Sequence, residues 1–237
     1  MPNHYFQFKQ FRVEQDKCAM KVCTDSCLLG AYAAVNSART ILDIGTGTGL
    51  LSLMAAQRSE AHITAIEIDA QTARQAHENI LHSPWADRIG VIPISLQAFA
   101  LNNQEQYDVI LCNPPFYQRS YKSPDEARNV AMHSHELSFA EIIQFCSASL
   151  TEKGLLYMLL PPHESKHFEQ SAKEKTLYVQ EKLLIFTKAA GKHIRTIQSF
   201  GLTPAANPPE KMLCIHHSDN TYTSEFVHLL KDYYLIF

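Results

Sequence analysis

The chain has 237 residues, 46% of them hydrophobic, and a formal net charge of −3, which allows one large domain or a domain with small additions and excludes disordered and collagen-like classes. With 21 Lys+Arg against 24 Asp+Glu there is no global electrostatic case for nucleic acid, so any such contact must be a local patch. No apolar run approaches the roughly 20 residues of a membrane-spanning helix, and the start MPNHYFQFKQ has no secretory h-region, which predicts a cytoplasmic protein with no membrane partner.

HYFQFKQFRV sets Phe6, Phe8, Phe11 and Val13 in near-alternation with Gln7, Lys9 and Arg12, the pattern of a short strand or hairpin with one wet face. TDSCLLGAYAAV follows as an apolar run with Thr24 or Asp25 as N-cap. From Ala38 strand-like runs alternate with helical ones: TILDI and LLSLMAAQ, HITAIEI and AQTARQAHENILH, then IGVIPI, YDVIL, FAEIIQFCSASL closed by Gly154, LLYMLL, and a polar helix through HFEQSAKEK. Such alternation predicts βαβ crossovers and a mostly parallel sheet covered on both faces. YVQEKLLIFTK and RTIQSFGL, joined by AAGKHI, predict an antiparallel hairpin. KMLCIHH is a further strand candidate, TSEFVHLLKDYY a last helix capped by Thr223 or Ser224, and LTPAANPPE a surface loop.

Cys18, Cys23, Cys27, Cys112, Cys146 and Cys214 are scattered among these elements, as reduced thiols rather than a disulfide framework. The spacing of the first three matches no zinc pattern, and His133 and His135 have no cysteine or carboxylate at ligand spacing, so no metal is expected.

The segment LDIGTGTGLLSLMAA puts Asp43 at a strand end, Gly45, Gly47 and Gly49 at alternate positions, and a helix behind them. Glycines serve where backbone turns sharply or must approach a ligand closely. Glu67 follows ~20 residues on at the end of the second strand, where an acid binds ribose hydroxyls. Dinucleotide sites use GxGxxG and seat pyrophosphate on the helix N-terminus, whereas this GxGxG loop is preceded by Asp43, which repels a diphosphate. S-adenosylmethionine (SAM) carries a positive ammonium and sulfonium and no phosphate, so an acidic approach suits it. Asp69, two residues after Glu67, is better placed as a helix N-cap.

YDVILCNPPFYQ then joins an apolar strand to one asparagine, two prolines and two aromatics. In doubly wound sheets ligands bind beyond the carboxyl ends of the strands, where strand order reverses. If YDVILCN is the fourth core strand it neighbours the first across that reversal, and NPPF and the glycine loop open into one crevice. Pro114 and Pro115 hold Asn113 extended, presenting the Asn113 side-chain oxygen and the Pro114 carbonyl as two rigid acceptors for an amino group. Gripping its two hydrogens directs a delocalised nitrogen lone pair toward a sulfonium methyl without a separate general base. Phe116 or Tyr117 would stack on the planar substrate.

With these motifs the chain resembles the class I SAM-dependent amino-methyltransferases of the (N/D)PP(Y/F) group. FQFKQFRVEQDKCAMKVCTDSCLLGAYA, LDIGTGTGLLSLMAAQR, AHENILHSPWADRI, NPPFY and the terminal NTYTSEF and YYLIF are similar, over nearly the whole length, to the bacterial family of tRNA(Val) adenine-37 N6-methyltransferases. The resemblance implies an α/β, Rossmann-like fold with a mostly parallel seven-stranded sheet, helices on both faces and an antiparallel C-terminal hairpin. Residues 1–35 would form an N-terminal segment, hairpin and helix, covering the cofactor and substrate cleft, and residues 36–237 the methyltransferase domain. It implies SAM held by Asp43, Gly45, Gly47, Gly49 and Glu67, with Asp25 added, and a catalytic set of Asn113, Pro114, Pro115 and Phe116. Many relatives carry an acid after the third strand for the cofactor adenine, where this chain has Ser95. The partner implied is tRNA, whose position 37 lies in a single-stranded loop. Tyr117, Lys9, Arg12, Lys21 and Arg119 are the substrate-binding candidates, with Lys122, Arg128, Lys188, Lys192 and Arg195 as further members of a basic rim.

Two rivals use the same chemistry on another group: a release-factor glutamine or a ribosomal-RNA guanine. Glutamine enzymes bring a helical N-terminal domain, and only about 35 residues precede the first core strand here. A noncatalytic RNA-binding protein is a rival of another class, opposed by the intact glycine loop and NPP.

Overall fold

The computed structural model describes residues 3–18, 20–114 and 137–237. Tyr5–Gln7 (β1) and Arg12–Glu14 (β2) pair antiparallel as the predicted hairpin, with Phe8, Phe11 and Val13 buried. Thr24–Tyr32 (α1) has Cys23 at its N-cap, with no side-chain cap. Neither Thr24 nor Asp25 caps it, therefore; the Asp25 carboxylate lies 2.8 Å from Arg195 Nε instead.

The alternating series is present: Thr40–Ile44 (β3), Leu50–Arg58 (α2), His62–Glu67 (β4), Ala70–Leu81 (α3), Ile89–Pro93 (β5), Leu96–Asn102 (α4) and Tyr107–Cys112 (β6). Phe139–Ser149 (α5), Leu150–Leu160 (β7), Pro162–Lys173 (α6), Tyr178–Phe186 (β8), His193–Gly201 (β9), Glu210–Cys214 (β10) and Ser224–Leu230 (α7) follow. Gly154 lies inside β7 rather than closing α5. Asp69 caps α3 through Thr72 N at 2.8 Å, and Thr223 caps α7 through Phe226 N at 3.2 Å.

The main sheet has the order β10-β8-β9-β7-β6-β3-β4-β5, in which β9 alone runs against its neighbours. The arrangement is Rossmann-like, with eight strands among the described residues rather than seven. KMLCIHH supplies the extra one, because Glu210–Cys214 pairs parallel to β8 along Lys182–Phe186 at the edge. Sequence order reverses at β3, which lies between β4 and β6.

Strand alternation divides the core into two layers. Ile41, Val109 and Leu111 join one cluster, with Phe8, Cys27, Leu28, Leu53 and Phe226. Leu42, Ile44, Ile110 and Cys112 join the other, with Leu96, Ile143 and Phe168. Asp43, and Asn113 beyond the end of β6, continue the first series, so both fall on the face that α1 and α2 cover. No helix among the described residues is long and apolar enough to cross a membrane, and no group of three or more His, Cys, Asp or Glu among them is placed to hold a metal ion.

Candidate active site

The glycine loop leaves the carboxyl end of β3 and turns back beneath β4, with Gly45 N and Thr46 N donating to Ile66 O at 2.9 and 3.0 Å. Gly45 and Gly47 hold φ of 68° and 57°, where L side chains are strained. A Cβ on either would meet nothing within 4 Å, so both border open space. Asp43 beneath them is fully buried. Its Oδ2 accepts from Thr46 Oγ1 at 2.6 Å, Ser52 Oγ at 2.7 Å and Ser52 N at 3.1 Å. Its Oδ1 is buried without a hydrogen-bond partner among the described residues. Burial pushes the carboxyl up to about 6, against the lowering pull of Thr46 and Ser52, and nearby Glu67 adds to the rise.

Glu67, at the end of β4, lies beside the loop because β3 and β4 run parallel with Ile44 opposite Ile66. Its carboxylate accepts from Gly47 N through Oε2 and from Asp69 N through Oε1, each at 3.0 Å. Those bonds fix the group while leaving each oxygen a further lone pair for a hydroxyl donor. Ile68 beside it is 54% exposed, an apolar surface that strand periodicity did not single out. Ser95 stands past β5, whose Pro93 is opposite Glu67, and caps α4 by accepting from Ala98 N at 3.2 Å.

Asn113 follows β6, which pairs parallel with β3 and sets Cys112 opposite Ile44. The predicted adjacency of the asparagine and the glycine loop across the reversal is therefore present. Asn113 Nδ2 donates to Ser26 Oγ of α1 at 2.9 Å. Asn113 Oδ1 is buried with no hydrogen-bond partner among the described residues. Pro114 is buried, whereas Pro115, Phe116, Tyr117, Arg119, Lys122, Arg128, His133 and His135 lie outside the described residues.

Two buried acceptors without partners thus sit at neighbouring strand ends on one sheet face. An unsatisfied buried oxygen costs about 1–3 kcal/mol, and a ligand's N–H groups would remove that cost. The Asp43 carboxylate suits an ammonium rather than a phosphate, so the set fits SAM: Asp43 for the ammonium, the glycine edge for close approach, Glu67 for ribose. Sequence reasoning missed Ser26 and Asn79. Asn79 Nδ2, on α3, donates to Thr48 O of the glycine loop and to Glu14 O of β2, both at 2.9 Å.

The expected basic rim is partly engaged elsewhere. Lys9 Nζ donates to Lys231 O at 2.6 Å and Phe237 O at 2.8 Å, tying the hairpin to the C-terminus. Arg12 pairs with Glu14 at 2.6 Å and lies 3.7 Å over the Tyr5 ring. Asp25 pairs with Arg195, and Lys188 Nζ donates to Ser218 O at 3.2 Å. Lys21 and Lys192 are exposed.

Residues 18–165 match the family described as methyltransferase small domain. A protein of Bacteroides fragilis, 42% identical over 99% of this chain and 99% of its own length, is named tRNA1(Val) (adenine(37)-N6)-methyltransferase. A Tolumonas auensis protein of the same name is 39% identical over 99% of this chain and 98% of its own. Among solved structures, a predicted O-methyltransferase of Agrobacterium tumefaciens has the same fold, with a TM-score of 0.67, 18% identity, and coverage of 88% of this chain and 96% of that one.

Proposed function

This chain belongs to the methyltransferase small domain family, and from that premise we propose that it transfers a methyl group from SAM to N6 of adenine-37 in a tRNA, tRNA(Val) being the specific substrate. Its place of action is the cytoplasm. The observation that carries the reading is the buried Asn113 Oδ1 without a partner among the described residues, one strand from the glycine loop. Near-full-length relatives named for this activity support the choice of base.

When bound, SAM supplies an electrophilic methyl group on a sulfonium. Asp43 and Glu67 would hold it, the Asp43 carboxylate by its ammonium and Glu67 by its ribose hydroxyls. Asn113 Oδ1 and the Pro114 carbonyl accept the two N6 hydrogens of the extruded adenine, which turns the nitrogen lone pair away from the ring and out along the open direction. The positive charge that develops on nitrogen is stabilised by those two oxygens, and its proton leaves afterwards. Phe116 or Tyr117, both outside the described residues, would supply an aromatic face for the base. Residues 1–35 cover the cleft; the Ser26–Asn113 and Asn79–Glu14 bonds support that role.

The test is methylation of purified tRNAs with labelled SAM, followed by nuclease mapping of the labelled nucleoside. N6-methyladenosine at position 37 of tRNA(Val) is the expected product. Label on a guanine amino group, or on a release-factor glutamine supplied in parallel, overturns it.

A further inference from the structure

An asparagine that grips an amino group has a weakness: turning its amide by 180° exchanges acceptor for donor. With Nδ2 facing the substrate, two donors meet and the grip is lost. A group that holds Nδ2 on the far side is therefore as necessary as the oxygen that faces the cleft.

Ser26 is that group. Its Oγ accepts from Asn113 Nδ2 at 2.9 Å, and with its own proton given to Cys23 Sγ, 3.2 Å away on the helix's opening turn, it has no hydrogen left to donate to a flipped Oδ1. Ser26 is 8% exposed, so water competes poorly for the bond. The helix that carries it is secured at both ends. Near its start Asp25 Oδ2 meets Arg195 Nε of β9 at 2.8 Å. At its end Arg58 Nη2 donates to Gly30 O and Ala33 O at 2.8 and 2.6 Å. Between them Gly30 packs so closely on α2 that a Cβ would stand 2.6 Å from Met54 Sδ. A hydroxyl on so fixed an element holds its partner to a small angular range.

We propose that Ser26 is a positioning residue for methyl transfer, orienting Asn113 so that Oδ1 faces the target amino group. The inference rests on the reading of Asn113 given above. In this role Ser26 acts through Asn113 and not on the cofactor or the reacting nitrogen, so its removal would lower the rate of the chemical step and spare cofactor affinity. A serine that only satisfied a buried amide would not produce that separation.

The experiment is single-turnover methylation at saturating SAM by the full chain, Ser26→Ala and Ser26→Thr, beside calorimetric binding of S-adenosylhomocysteine to each. Ser26→Ala is expected to lower the rate ~10- to 100-fold with an unchanged Kd for S-adenosylhomocysteine. Ser26→Thr keeps the acceptor oxygen and restores most of the rate. A wild-type rate in Ser26→Ala overturns the proposal, as does an equal loss in Ser26→Thr or a loss of S-adenosylhomocysteine binding, which marks a structural role only. If the wild type modifies an amino group other than adenine-37 N6, the adenine reading fails, and the same three proteins compared on that substrate still decide the role of Ser26. No transfer to any of these substrates by the wild type removes both.

Discussion

The side-chain amide of Asn79 donates to the backbone carbonyl of Thr48 at 2.9 Å. Asn79 is buried in the last turn of α3, so the bond reaches from one crossover helix into the glycine loop of another. The same nitrogen donates to Glu14 O, and Asn79 Oδ1 accepts from Glu14 N at 2.9 Å. One amide therefore holds the N-terminal hairpin, α3 and the glycine loop in register.

Asn79→Ala leaves those backbone groups without their partner, at about 1–3 kcal/mol for a buried group left unsatisfied. The expected outcome is a lower urea midpoint with an unchanged m-value, together with weaker S-adenosylhomocysteine binding by calorimetry. Wild-type values for both would show that water replaces the amide without loss.

Burial raises the Asp43 carboxyl to about 6 in the folded chain, against an ordinary value of 3.8. Between those values the native state holds a proton that the unfolded chain has released, so this group's contribution to stability is present at lower pH and is lost as pH rises through that window. A bound ammonium favours the carboxylate and reverses the preference. SAM affinity is therefore expected to weaken as pH falls below about 6, and Asp43→Asn to remove that dependence while weakening binding ~10- to 100-fold, the loss of one charge-assisted hydrogen bond. Calorimetry from pH 5 to 8 checks both; a flat profile in the wild type contradicts the assignment.

Asn113→Ala removes the acceptor proposed to grip the amino group and leaves the glycine loop's own residues in place. Turnover is expected to fall at least ~100-fold while S-adenosylhomocysteine binds as before. Normal turnover in this variant would refute the role of Asn113, and a matching loss of cofactor affinity would assign it to the cofactor instead.

Lys9 bonds Lys231 O and Phe237 O, so Lys9→Ala should release the C-terminal tail rather than weaken RNA binding. Carboxypeptidase is expected to trim the variant faster, with tRNA affinity showing the same salt slope as the wild type. A slope reduced by about 1 would return Lys9 to the RNA surface.

The parts legible in the sequence were those set within a short span of chain. The three glycines, the asparagine before two prolines, the cap at Asp69 and the β8–β9 hairpin each follow from the conformational limits of neighbouring residues. The S-x-x-E spacing of Ser138 and Glu141 was equally local and went unread: Ser138 Oγ accepts from Glu141 N at 3.3 Å and Glu141 Oε2 from Ser138 N at 2.9 Å, a complete capping box. Neither cap proposed for α1 is present, because the helix already begins at Thr24 with Cys23 at its N-cap, and the Asp25 carboxylate pairs with Arg195, far along the chain.

The amino-acid sequence by itself determined the alternation of strands and helices and the acidic character of the glycine loop, because period, turn chemistry and charge act between near neighbours, while the β3–β6 adjacency followed from the general rule for doubly wound sheets. Tertiary structure alone decided that Ser26 holds Asn113 from 87 residues away, that Asn79 ties the hairpin to the glycine loop, and that an eighth strand joins the sheet edge. Those contacts join segments with no shared periodicity, and they form only when burial of two core layers brings their polar groups within hydrogen-bonding distance.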